Sequence, residues 1–233
     1  MTALLRYQTA ILLRSHRWIF PVVAYGLLIS VGAASSTPLA EGLDWSAAML
    51  VPAVAFLTRS MLIAEPDAAR ACVAAATGPA RAQLAALVTA LGAGVVLGLA
   101  GAGFTVLTGE SAVKQASSGV FSKIDATFAH PQVLTAGLAT ALVCLLVGSA
   151  AGTLCNPPLL RHPGASALAT LAVVIVALAA NVSPANAALR SDIASTTAAR
   201  WPGALSLIAA AALLAIAWTA SVMAAARRER SLS

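Results

Sequence analysis

Charge is what this sequence has least of. Of its 233 residues, 9% are Asp, Glu, Lys or Arg and 60% are hydrophobic, where a soluble domain carries roughly 25% charge and about 45–50% apolar residues. A chain so poor in charge cannot cover its own surface in water, which excludes a soluble globular domain. Cysteine is scarce as well. Cys72, Cys144 and Cys155 are an odd set without CxxC spacing, so neither a disulfide framework nor a zinc site is expected. The histidines, His16, His130 and His162, have no second ligand three or four residues away, and no metal is expected. The chain contains no HExxH, and neither lysine belongs to a GxxxxGK[ST] loop, which removes that protease helix and that phosphate cradle. Ser149 stands in the apolar run "VGSAAG" with no histidine mid-run to act as its base, so an intramembrane nucleophile is not expected.

What remains is apolar length. The mean hydropathy is +0.89, and several runs reach the roughly 17–25 residues that cross about 30 Å of hydrocarbon. The sequence predicts an all-α integral membrane protein, a single domain over residues 1–233, with spans near 18–34, 46–63, 80–107, 131–155, 164–180 and 202–226. Pro79, Pro131, Pro163 and Pro202 stand at or just before the start of runs, where a missing N–H costs nothing. Pro21 and Pro52 are expected in the first turns of the first and second spans.

Arginine and lysine set the orientation. Arg6, Arg14, Arg17, Arg59, Arg70, Arg81, Arg161, Arg227, Arg228 and Arg230 fall on one side, ten in all, against Lys114, Lys123, Arg190 and Arg200, four, on the other. Cytoplasmic loops carry that excess, so both termini are expected inside, with Glu41, Asp44, Glu110, Asp125 and Asp192 outside. The net charge of +6 is therefore a topology signal, and no nucleic-acid partner is expected because no basic domain exists. The first run ends in "SVGAAS", small residues in a cleavage-like order. Its long, patterned basic flank and Trp18 at an interface point instead to a retained span.

Residues 2–17 read as a helix lying in the interface. Leu4, Leu5, Ile11 and Leu12 gather on one side and Arg6, Arg14 and Arg17 on the other, with Leu13 out of pattern, which suits a lipid bilayer as partner. A plain cytoplasmic stub obeying the charge rule is the alternative. Gly94 and Gly98, and again Gly148 and Gly152, form GxxxG pairs expected to pack helix on helix, within the chain or across a dimer. No Asp, Glu, Lys or His sits mid-span, so no proton relay is visible. Arg59, near the inner end of the second span, is expected either to snorkel or to line a vestibule.

The polar island "AEPDAARACVAAATGPARAQL", residues 64–84, carries Glu65, Asp67, Arg70 and Arg81. Pro66 can open a helix, Asp67 favours its first turn, the alanines propagate it, and Gly78-Pro79 stops it. A short helix near 66–76 follows, either plain interfacial structure or a docking element for a cytoplasmic partner.

The order "LLRYQTAILLRSHRWIFPVVAYGLLISVG", then "LTRSMLIAEPDAARACVAAATGPARAQLAALV", then spans with short loops, resembles the permease subunit of a bacterial type-2 ATP-binding-cassette (ABC) exporter, in an alanine-rich, actinobacterial-like style. The resemblance implies a plasma-membrane permease with six spans and a short helix near 66–76 seated on a separate cytoplasmic ATPase. Glu65, Asp67, Arg70 and Arg81 would serve that contact. It implies a second permease subunit, identical or related, ATP and Mg on the partner rather than any cofactor here, and no catalysis in this chain. It further implies a pathway lined by the second and fifth spans, with Met49 and Phe56 as wall residues. Short outer helices are implied before the last span, where "NVSPANAALRSDIASTTAARWPG" has Ser183 and Pro184 as cap and first turn. The outer segment 108–130 is long for that class and reads as an amphipathic connector, a lid or a partner contact. Asn181-Val182-Ser183 matches a glycosylation acceptor only formally. Other classes stay open: a non-transport membrane scaffold, an accessory or immunity protein, or a passive carrier.

Overall fold

The computed structural model describes residues 2–33, 39–108, 131–155, 163–180, 183–193 and 204–230. Among them the fold is wholly α-helical. The elements are α1 (Thr2–Arg14), α2 (Ile19–Ala33), α3 (Leu39–Ala64), α4 (Asp67–Thr77), α5 (Pro79–Thr108), α6 (Pro131–Leu154), α7 (Pro163–Ala179), α8 (Pro184–Ile193) and α9 (Ala204–Arg230). Five stretches, Leu39–Ala64, Ala80–Thr108, Gln132–Leu154, Gly164–Arg190 and Leu205–Met223, are long and apolar enough to cross a membrane. The chain is thus a multi-pass membrane protein, all-helical over its described residues. The first predicted span is shorter than expected. At 15 residues, α2 reaches about 22 Å at 1.5 Å per residue, less than the hydrocarbon thickness. The outer segment 109–130 and most of the formal glycosylation acceptor (Asn181, Val182) lie outside the described residues.

Helix starts follow backbone chemistry. Pro79, Pro131, Pro163 and Pro184 each occupy a first helical position, where their missing N–H is not needed. Pro52 is a correction. The second predicted span begins seven residues earlier than read, at Leu39, so Pro52 lies inside α3 and leaves the Ala48 carbonyl without its usual donor. The same extension takes Glu41 and Asp44 out of the expected loop. Both belong to α3, and Asp44 is buried. Beside it, Trp45 donates its indole N–H to the Leu28 carbonyl at 3.0 Å, tying the end of α2 to α3.

Packing is organised by α3 and α6, the two spans more than half buried. Glycine sets their approach. A Cβ on Gly148 would stand 2.6 Å from the Val51 carbonyl oxygen, and one on Gly152 2.5 Å from that of Ala55. Backbone meets backbone there, as small residues allow where lipid supplies no hydrophobic drive. Gly137 faces Leu43, Gly148 faces Val51 and Gly152 faces Ala55, so the two helices run in the same direction. Gly94 and Gly98 of α5 meet side chains instead, Leu145 and Val54 for the first and Leu50 for the second, all at 3.2 Å. Both GxxxG pairs therefore make contacts within the chain.

A core of Ala47, Val51, Val143, Cys144, Val147, Val174 and Ala210 also takes in Ala185 and Ala188 of α8. That short helix is seated among α3, α6, α7 and α9, its Ser183 accepting from Ala187 N at 2.9 Å.

Candidate functional site

The parallel course of α3 and α6 brings together the ends of both, the start of α5 and the start of α7. At this α4 end of the bundle several side-chain hydrogen bonds join different helices. Helix α4 spans Asp67–Thr77, one residue later than the expected 66–76, so that Pro66 stands just before it. It closes as predicted. Thr77 Oγ1 donates to the Val73 carbonyl at 2.8 Å, Gly78 takes a left-handed φ of 86°, and Pro79 opens α5.

Glu65, immediately before this helix, points inward. It is 8% exposed and accepts from the Tyr7 hydroxyl at 3.1 Å and, more weakly, from Gln8 Nε2 at 3.5 Å. A direct surface contact with a partner needs an exposed carboxylate, so this geometry turns Glu65 toward α1. Arg81 is exposed on the first turn of α5. Asp67 and Arg70 belong to α4, and their side chains lie outside the described residues.

Helix α1 is amphipathic, but its buried stripe rests on protein. Gln8 and Leu12, one turn apart, are its buried residues. Leu12 joins Leu57 and Met61 of α3 and Ala90 of α5, with Trp18 packed against the group. Trp18 thus sits half-buried in a helix junction. Arg6, Arg14 and Arg17 are exposed. The link from α1 to α2 is a tight corner. Ser15 N bonds to Ile11 O at 2.9 Å, Ile19 N to His16 O at 3.2 Å, and His16 holds a left-handed φ of 51°.

Arg59 bonds across the bundle. Its Nε donates to Ser166 Oγ at 3.1 Å, and Ser166 Oγ donates to the Cys155 carbonyl at 2.5 Å, joining α3, the end of α6 and α7. On the far side of this end, Gln83 Nε2 donates to Ser221 Oγ at 2.9 Å, linking α5 to α9. The expected wall residues are partly covered: Met49 packs against the cluster formed by Tyr25, Ile29, Leu50, Ala53, Val54 and Leu145, and Phe56 is half-buried. Ser149 is fully buried and donates to the Leu146 carbonyl at 2.9 Å. Among the described residues no group of three or more His, Cys, Asp or Glu could hold a metal.

Sequence reading missed Tyr7, Gln8 and Ser166. Gln8 was findable, because it interrupts the Leu5–Leu12 stripe at helical spacing, and a polar residue on a buried stripe needs a partner. Ser166 gave no signal. Comparison with family models, with curated proteins and with solved structures returned no match.

Proposed function

We propose that this chain is the membrane-spanning subunit of an ABC exporter in a bacterial plasma membrane, moved by a separate cytoplasmic ATPase that carries the ATP and Mg. The observation that supports it most is α4, an eleven-residue helix set between two long apolar helices, with its approach at Glu65 held by α1. On this reading α2 is the first of six spans, both termini are cytoplasmic, and α4 is the surface seated on the ATPase, with Asp67, Arg70 and Arg81 as its charged contacts. Closure of the ATPase pair would push α4 and tilt α3 and α5. A pathway between this subunit and a second, identical or related one would then exchange inward for outward access, with α3 and α7 as its walls. This chain makes and breaks no covalent bond.

Affinity purification in mild detergent, followed by identification of what co-elutes, tests the class. A nucleotide-binding ATPase in the complex supports the reading. Recovery of the chain alone, or with a partner lacking ATPase activity, overturns it.

A further inference from the structure

Helix α1 has two faces with different consequences. One is anchored through Gln8 and Leu12, and at 100° per residue Arg6 and Arg14 lie on the other. Both are exposed, as is Arg17 just beyond the helix. Residues 1–40 contain no Asp or Glu, so this face is uniformly positive. Exposed apolar side chains adjoin it, Leu13, Ile19 and Phe20 being 63%, 40% and 71% exposed. Arginines flanked by bare apolar groups complement the headgroup layer of an anionic leaflet.

We propose that this face binds anionic phospholipid, and that through Tyr7 and Gln8 on Glu65 the lipid charge sets the position of α4. The path is short. Tyr7 and Gln8 neighbour Arg6 in one helical turn. Glu65 is separated from the first residue of α4 by Pro66 alone, and Pro66 restricts the backbone between them. Leu12 seats α1 on α3 and α5 in either lipid; when Arg6 and Arg14 are also held at a charged surface, the remaining motion of α1 is damped, Glu65 is gripped, and α4 is held in one orientation. In a neutral leaflet the grip relaxes and α4 samples several. The consequence for transport rests on the reading of α4 as the ATPase seat. The effect on α4 itself does not, so the test uses this chain alone.

Cys72 on α4 is exposed while Cys144 and Cys155 are buried, which gives a native labelling site. A second spin label at T9C, exposed on α1 to one side of the arginine face, reports the α1–α4 distance. The chain is reconstituted in nanodiscs of phosphatidylcholine alone and with phosphatidylglycerol added. The distance distribution is expected to be about twofold narrower in the anionic discs, and to broaden again in about 1 M salt, where the Debye length falls to about 3 Å. R6Q/R14Q is expected to give the broad distribution in both lipids. Y7F/Q8L does the same with every arginine present, and Y7F alone, at a more exposed site, serves if replacing buried Gln8 unfolds the protein. Equal widths for the unmutated arginines in both lipids overturn the proposal, as does narrowing that survives R6Q/R14Q. Failure to recover an ATPase would remove the transport consequence and leave this result standing.

Discussion

Adding one methyl group at Gly148 should cost more than adding it at Gly94, although both glycines begin the same five-residue motif. At Gly148 the new Cβ would lie 2.6 Å from a backbone oxygen, whereas at Gly94 it would lie 3.2 Å from the ends of Leu145 and Val54. A backbone oxygen within a helix cannot withdraw without moving the helix, while a side-chain methyl shifts by a few tenths of an ångström. Overpacking of the first kind costs about 1–3 kcal/mol. At Gly94 the better helix propensity of alanine, roughly 1 kcal/mol over glycine, offsets much of the smaller clash. Reversible unfolding in mixed micelles should therefore place G148A about 1–3 kcal/mol below the parent and G94A within about 1 kcal/mol of it. A second comparison isolates the cause. Trimming Val54 to Ala should ease one of the two side-chain contacts in G94A, the one with Leu145 remaining, whereas trimming Val51 to Ala should leave G148A as destabilised as before, because the obstacle is the Val51 carbonyl. Equal losses for G148A and G94A, or rescue of G148A by V51A, would refute the backbone-contact argument.

Three further outcomes are expected. Burial raises the Tyr7 pKa above 10.0, aided by its hydrogen bond to Glu65 and the charge of that carboxylate. The raised value means that the phenol's contribution to stability is present below pH 10 and is lost as pH rises through the folded value. With two tyrosines in the chain, ultraviolet titration of the parent minus Y7F resolves this step. E65A should lower it without abolishing the shift, and a transition at or below 10 would contradict the contact. Replacing Ser166 by Ala removes the acceptor for Arg59 and the donor to Cys155, and micellar unfolding should register a loss of about 1–3 kcal/mol, with no change indicating that the bridge carries no stability. Maleimide should modify one thiol, Cys72, in the folded protein and all three after denaturation, and reaction at two or three sites in the native state would contradict the burial of Cys144 and Cys155.

The legible part of this fold was the part set by local chemistry. Proline and glycine marked helix starts and the closure of α4 because their backbone constraints act within a residue or two. Hydropathy located the ends of most long helices to within a few positions, the start of α3 being the exception. Where distant packing decides, sequence pattern was blind. Leu39–Trp45 looked like loop because it holds Glu41 and Asp44 in a short interval, yet α3 extends through it. There Asp44 is covered by the bundle and Trp45 is tied to α2. The stripe on α1 was visible, but whether it meets lipid or protein depends on where Leu57, Met61 and Ala90 arrive, and they come from two other helices. For the candidate site, the helix was foreseen while the inward turn of Glu65 was not. Its partners lie 57 and 58 residues away in sequence, and nothing in the residues around position 65 points to them.

The seam between α3 and α6 limits how the protein can move. Two rods touching through their main chains at Gly148 and Gly152 cannot slide or twist apart without opening a gap that no side chain is there to fill. If the exporter reading holds, a push at α4 would displace the pair as one body, and a change of shape in the membrane would be taken up by the helices around this stiff keel rather than within it.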